Sequence, residues 1–101
     1  MIRISVHYRN GEGKKFDLDY YVKKHMPMAG RLLKPIRYEV DKGIAGGAPG
    51  SAAPFVASCH FYFDSLADFQ KGMGMHGQEL VADVPNYTNI QPEIQVSEIV
   101  A

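Results

Sequence analysis

Residues 16–28 read Phe16-Asp17-Leu18-Asp19-Tyr20-Tyr21-Val22-Lys23-Lys24-His25-Met26-Pro27-Met28. Leu18, Tyr21, Val22, His25, Met26, Ala29 and Leu33 recur at helical spacing and define one apolar face. An imidazole on that face needs a partner or a ligand, because a buried polar group left unbonded is costly. Asp17 is placed to cap the helix and Asp19 sits in its first turn, both favourable at a positive helix end. Pro27 lacks an N–H and its ring crowds the carbonyl four residues back, which predicts a kink or break near Met26. The face resumes through Leu32 and Leu33 before Pro35.

Working outward, Ile2, Ile4, Val6 and Tyr8 alternate with Arg3, Ser5 and His7, which predicts a first strand. A second strand is expected over about residues 36–44, and a third over 55–63. Between them, residues 43–54 hold four glycines, two prolines and no charge. That composition reads as a mobile hairpin connection, with a ligand lid as the functional alternative. Ser65 with Asp68 three residues on resembles a capping box, opening a second helix. Leu66, Phe69, Met73, His76 and Leu80 form its stripe. Gly72, Gly74 and Gly77 weaken it unless they permit close packing or a bend. A last strand is expected over about 90–100. The order βαββαβ predicts one α+β ferredoxin-like domain over residues 1–101.

Both helices should cover one sheet face, carrying Ile2, Ile4, Val6, Ala57, Cys59, Phe61, Ile94 and Val96. The other face would carry Ser5, His7, Val56, Ser58, His60, Tyr62, Gln95 and Ser97. That set is polar yet short of charge, so we expect it to pack against a second copy. Two sheets would then close into one barrel, as a homodimer.

Composition removes several classes. Eleven basic residues balance eleven acidic ones, so no net field recruits nucleic acid or an anionic membrane. No apolar run approaches the roughly 20 residues that span a bilayer. Met1 leads into a strand pattern rather than a signal peptide, and the single Cys59 fits a reducing compartment. A cytoplasmic protein is expected.

Candidate chemistry centres on His25, with Tyr21 one turn before it on the same face. Imidazole and phenol together suit enolisation, cyclisation or dehydration of an organic substrate, with His25 as proton carrier and Tyr21 as donor. The structural alternative is a core histidine bonded to a carbonyl. His76 mirrors His25 on the second helix, and the two could flank a helix–sheet cavity with Met26 and Met73. In the segment Asp83-Val84-Pro85-Asn86-Tyr87-Thr88-Asn89, Asn86 and Tyr87 could turn polar groups to the cavity rim, while Pro85 stops the helix. His7 and His60 should meet on the barrel face beside Ser5, Ser58 and Tyr62. No metal is expected, because the histidine pairs point to opposite faces and lack ligand spacing. Cys59 reads as an inert buried thiol, and no glycine loop cradles a phosphate.

An aromatic pair, three residues and His-x-Pro (Tyr20-Tyr21 to Pro27), followed near the C-terminus by residues 83–89, resembles the EthD family, named for ethyl tert-butyl ether degradation. The resemblance covers essentially the whole chain. It implies the dimeric α/β-barrel superfamily and a small organic ligand. It further implies a cofactor-independent enzyme of cyclase, lyase, isomerase or monooxygenase type, acting on an ether, hydrocarbon or polyketide-like substrate. The alternative it carries is a non-catalytic binding or accessory protein of an oxidative degradation system. Haem, bound by some related barrels, has no axial-ligand motif here.

Overall fold

Alternation of apolar and polar residues makes the two central strands. β1 (Ile2–Arg9) and β3 (Phe55–Phe63) pair antiparallel, Ile4 opposite Phe61 and Val6 opposite Cys59. In the computed structural model, which describes residues 1–101, β2 (Arg37–Lys42) and β4 (Glu93–Glu98) flank them in the order β2-β3-β1-β4. All pairings are antiparallel. This is the expected ferredoxin-like α+β arrangement.

The outer strands are shorter than expected. Ile44 lies outside β2 and is fully exposed. Ile90 is buried but is not in β4: its N–H bonds the Thr88 hydroxyl, and Pro92, having no N–H, delays the ladder.

The first helical segment runs without a break over 18–33, as α1 (Leu18–Tyr20), a π turn (Tyr21–His25) and α2 (Met26–Leu33). Asp17 caps it by accepting from the Tyr20 N–H. The break expected at Pro27 is replaced by the π turn. Met26 N–H reaches five residues back to the Tyr21 carbonyl. The widened turn accommodates the proline ring, as insertions of this kind do. It also shifts the face: Tyr21, His25, Met26, Ala29 and Leu33 are buried, but Val22 is not.

α3 (Leu66–Asp83) starts with Ser65 accepting from the Asp68 N–H and ends in a 3₁₀ turn (Val84–Asn86) around Pro85. Of its glycines, Gly72 faces α2 closely: a Cβ there would lie 3.1 Å from Leu33 Cδ2. The helices pack on one sheet face over a core of Ile4, Tyr8, Ala57, Cys59 and Phe61. Ile94 and Val96 lie on that face too, yet stay 58% and 45% exposed, because no helix covers edge strand β4.

Candidate active site

The two sequence motifs are stitched together. Phe16 and Thr88 form a β-bridge, Asp17 N–H donates to the Tyr87 carbonyl at 2.8 Å, and Lys15 N–H donates to Asn89 Oδ1 at 2.8 Å. Thr88 hydroxyl returns a bond to the Lys15 carbonyl at 2.6 Å, and Asn89 Nδ2 donates to the Gly13 carbonyl. This seam holds Tyr87 against the π turn, its ring centroid 4.7 Å from that of His25.

A chain of hydrogen bonds results. His25 Nδ1 lies 2.9 Å from Asp83 Oδ2. Tyr20 hydroxyl and Asn86 Nδ2 both donate to Asp83 Oδ1, at 2.7 and 2.9 Å. Burial acts to raise the Asp83 carboxyl, but the bonds from Asn86, Tyr20 and His25 outweigh it and hold it below its ordinary value. Asp83 is therefore ionised near neutrality and can only accept. Nδ1 must carry the proton, which leaves the lone pair on Nε2 when the ring is neutral. Nε2 faces the Tyr87 hydroxyl at 3.5 Å, a contact too long to engage that lone pair strongly. Tyr87 hydroxyl in turn bonds Tyr8 hydroxyl at 2.7 Å.

Tyr21 lies beside His25, as its place on the same helix face predicts, but is not hydrogen-bonded to it. Its ring stacks on His25, 5.5 Å between centroids and 13° from parallel, and its fully buried hydroxyl packs beside the Tyr8 hydroxyl and the Cys59 thiol without a well-formed hydrogen bond. Burial beside Cys59 and Tyr8 pushes its ionisation far up. Burial also raises Tyr8, to about 12, and Tyr87 further. All three phenols stay protonated donors through the physiological range. Cys59, buried at the same level, is likewise pushed up to about 12 by burial, in keeping with an inert thiol.

These groups line a cavity of about 90 Å³ between the helices and the sheet. Ile4, Val6, Phe61, Met26 and Met73 make its apolar walls, together with Val81, Val84, Pro92 and Ile94, of which Val81 and Ile94 are also exposed to solvent. The structure thus brings together His25, Tyr21, Tyr87, Met26 and Met73. Asn86 stands behind them, bonded to Asp83. His76 does not join: it faces Glu79 at 3.3 Å and borders a separate groove with Lys34 and Asp68. It shares a face of α3 with Asp68, Gly72 and Met75, whereas Phe69, Met73 and Leu80 face the cavity. Sequence reasoning missed Asp83, Tyr8 and Tyr20. Asp83 opens the second motif and Tyr20 the aromatic pair, so a carboxylate paired with the motif histidine was the available signal.

The opposite sheet face carries the second histidine pair. Ser5 hydroxyl bonds His60 Nδ1 at 2.9 Å, and His7 Nδ1 bonds Ser58 hydroxyl at 2.8 Å. The two imidazole centroids are 6.1 Å apart. The face is more charged than expected: His60 Nε2 meets Asp41, Tyr62 hydroxyl donates to Glu39, and Arg37 lies over the Tyr62 ring. These charges come from β2, whose exposed, weakly alternating sequence gave no facing.

Fold and site define a ferredoxin-like α+β protein with a histidine–carboxylate pair at an apolar helix–sheet cavity. Residues 9–91 match the EthD domain, and the chain belongs to the EthD family. An EthD-like protein from Ralstonia eutropha JMP134 has a crystal structure that superposes with a TM-score of 0.94 at 43% identity, covering 99% of this chain and 92% of that one. An EthD family protein from Bacillus halodurans C-125 (TM-score 0.69, 17% identity, 99% of both chains) shares the fold. So does HapK from Hahella chejuensis (0.63, 17%, 99% of this chain and 93% of that). No curated protein matches. No helix is long and apolar enough to cross a membrane.

Proposed function

We propose that the protein is a cofactor-independent proton-transfer enzyme for a small uncharged organic substrate, with His25 Nε2 as the base. The observation that carries this is the Asp83–His25 pair, 2.9 Å apart, whose histidine lines an apolar cavity. Asp83 fixes the tautomer that leaves Nε2 free, as a carboxylate does for a catalytic histidine. In an enolisation, Nε2 would take a proton from the carbon next to a carbonyl. The C–H pair becomes the C=C bond and the carbonyl oxygen gains the charge. The proton then returns to carbon or to oxygen.

Deuterium exchange at the methylene groups of 2-indanone, followed by NMR in D₂O, tests this. Wild type should exchange the probe well above the rate in its absence, and His25→Ala should lose about 100-fold of that gain. Binding without exchange would instead favour the non-catalytic binding protein. The proposal extends to assembly: a homodimer closed through the helix-free sheet face would cover His7, Val56 and His60, which one chain leaves partly exposed.

A further inference from the structure

Edge strand β4 leaves apolar surface that no helix covers. Ile94 and Val96 point to the helix side of the sheet, opposite Val6 and Ile4, yet stay 58% and 45% exposed. On α3, Val81 is 65% exposed. Val81 and Ile94 also line the cavity that holds His25, and so do Ile4 and Val6, the residues with which β4 pairs. The exposed apolar surface is therefore continuous with the cavity. We propose that the uncovered strip of Ile94 and Val96, with Val81 beside it, is a subsite for the apolar tail of an elongated, uncharged ligand whose head lies beside His25.

Three observations define that ligand. At about 90 Å³ the cavity is smaller than the roughly 150 Å³ that houses benzene in an engineered core, so it admits only one end of a molecule. Ile94 and Val96 lie about 7 Å apart along the strand, so the part left outside must be extended to cover both. No lysine or arginine lines the cavity, and the next residue on this side of β4 is Glu98. An anionic tail would find no partner there and would meet a like charge. A neutral hydrocarbon tail would instead take exposed apolar side chains out of water.

The subsite rests on the proton-transfer reading for the chemistry of the head, a carbonyl, but not for its test. In that reading the tail supplies the affinity, and His25 acts on the carbon next to the carbonyl.

Straight-chain 2-alkanones from 2-pentanone to 2-decanone vary the tail alone. Their affinities for wild type and Val96→Ser should be measured by NMR titration, following the methyl signals of Val81, Ile94 and Val96. The methyl signals of Ile44, exposed on the β2–β3 connection, serve as the control. In wild type, affinity should rise by up to about four-fold for each added methylene. The long ketones should shift the Val81, Ile94 and Val96 methyls, and 2-pentanone should leave Val96 unmoved. Val96→Ser should bind 2-pentanone as wild type does and lose about half of the gain from lengthening.

Affinity that does not change with length would overturn the subsite. So would shifts no larger at Ile94 than at Ile44, or a Val96→Ser variant that binds 2-decanone as tightly as wild type. Methyl shifts at Val81 and Ile94 on dilution, with none on adding 2-decanone, would assign the strip to a second copy and likewise overturn it. Length-dependent binding without deuterium exchange next to the carbonyl would leave the subsite standing and remove the proton-transfer reading. Exchange with length-independent affinity would do the reverse.

Discussion

Asp83 settles which nitrogen of His25 carries the proton, and that single choice gives the site its direction. The histidine was legible in the sequence, because an imidazole on a helix face demands a partner. The partner was not, because 58 residues separate the two and only the seam between residues 15–17 and 87–89 brings them together. Replacing Asp83 by Asn removes a charged acceptor that holds three donors. A loss of roughly 1–3 kcal/mol of stability is expected by urea denaturation. The pH dependence has a definite sign. The Asp83 carboxyl is held below its ordinary value when folded, so its contribution is present above about pH 4 and fades as pH falls through the lower folded value. The fall in stability between about pH 4 and 2 should be shallower in Asp83→Asn than in wild type; parallel curves would remove Asp83 from the stabilising network.

The helices carry their information in exceptions to periodicity. Asp17 and Ser65 cap their helices as their types and positions predict. The π turn could not be read from a 3.6-residue pattern, since it is the packing answer to Pro27 and displaces Val22 to solvent while turning His25 inward. The glycines of α3 divide by what surrounds them. A Cβ on Gly72 meets Leu33 at 3.1 Å, whereas one on Gly74 meets nothing. Gly74→Ala should therefore stabilise by about 0.5–1 kcal/mol through helix propensity. Gly72→Ala should cost about 1 kcal/mol or more, because α2 must move away from α3. Equal effects in denaturant melts would show that Gly72 is not a packing glycine.

At the level of the whole molecule, two-residue alternation in β1 and β3 separates the covered face from the open one. Edge strands were less legible: β2 is exposed nearly throughout, so its facing and its charges follow only from register, Glu39 opposite His60 and Asp41 opposite Ser58. On the open face, Ser58 sits at the centre, bonded to His7. If that face closes a dimer, Ser58→Lys should give monomer or aggregate by light scattering while wild type runs as a dimer. A variant that stays dimeric would place the interface elsewhere.

All scales meet in the claim that His25, oriented by Asp83, moves protons at the wall of the cavity. The measurement that reaches it most directly is the pH profile of 2-indanone deuterium exchange in wild type and His25→Ala. Wild type should show a rate above background across the profile, and that excess should vanish in the variant. Superimposable profiles for the two proteins would contradict the account.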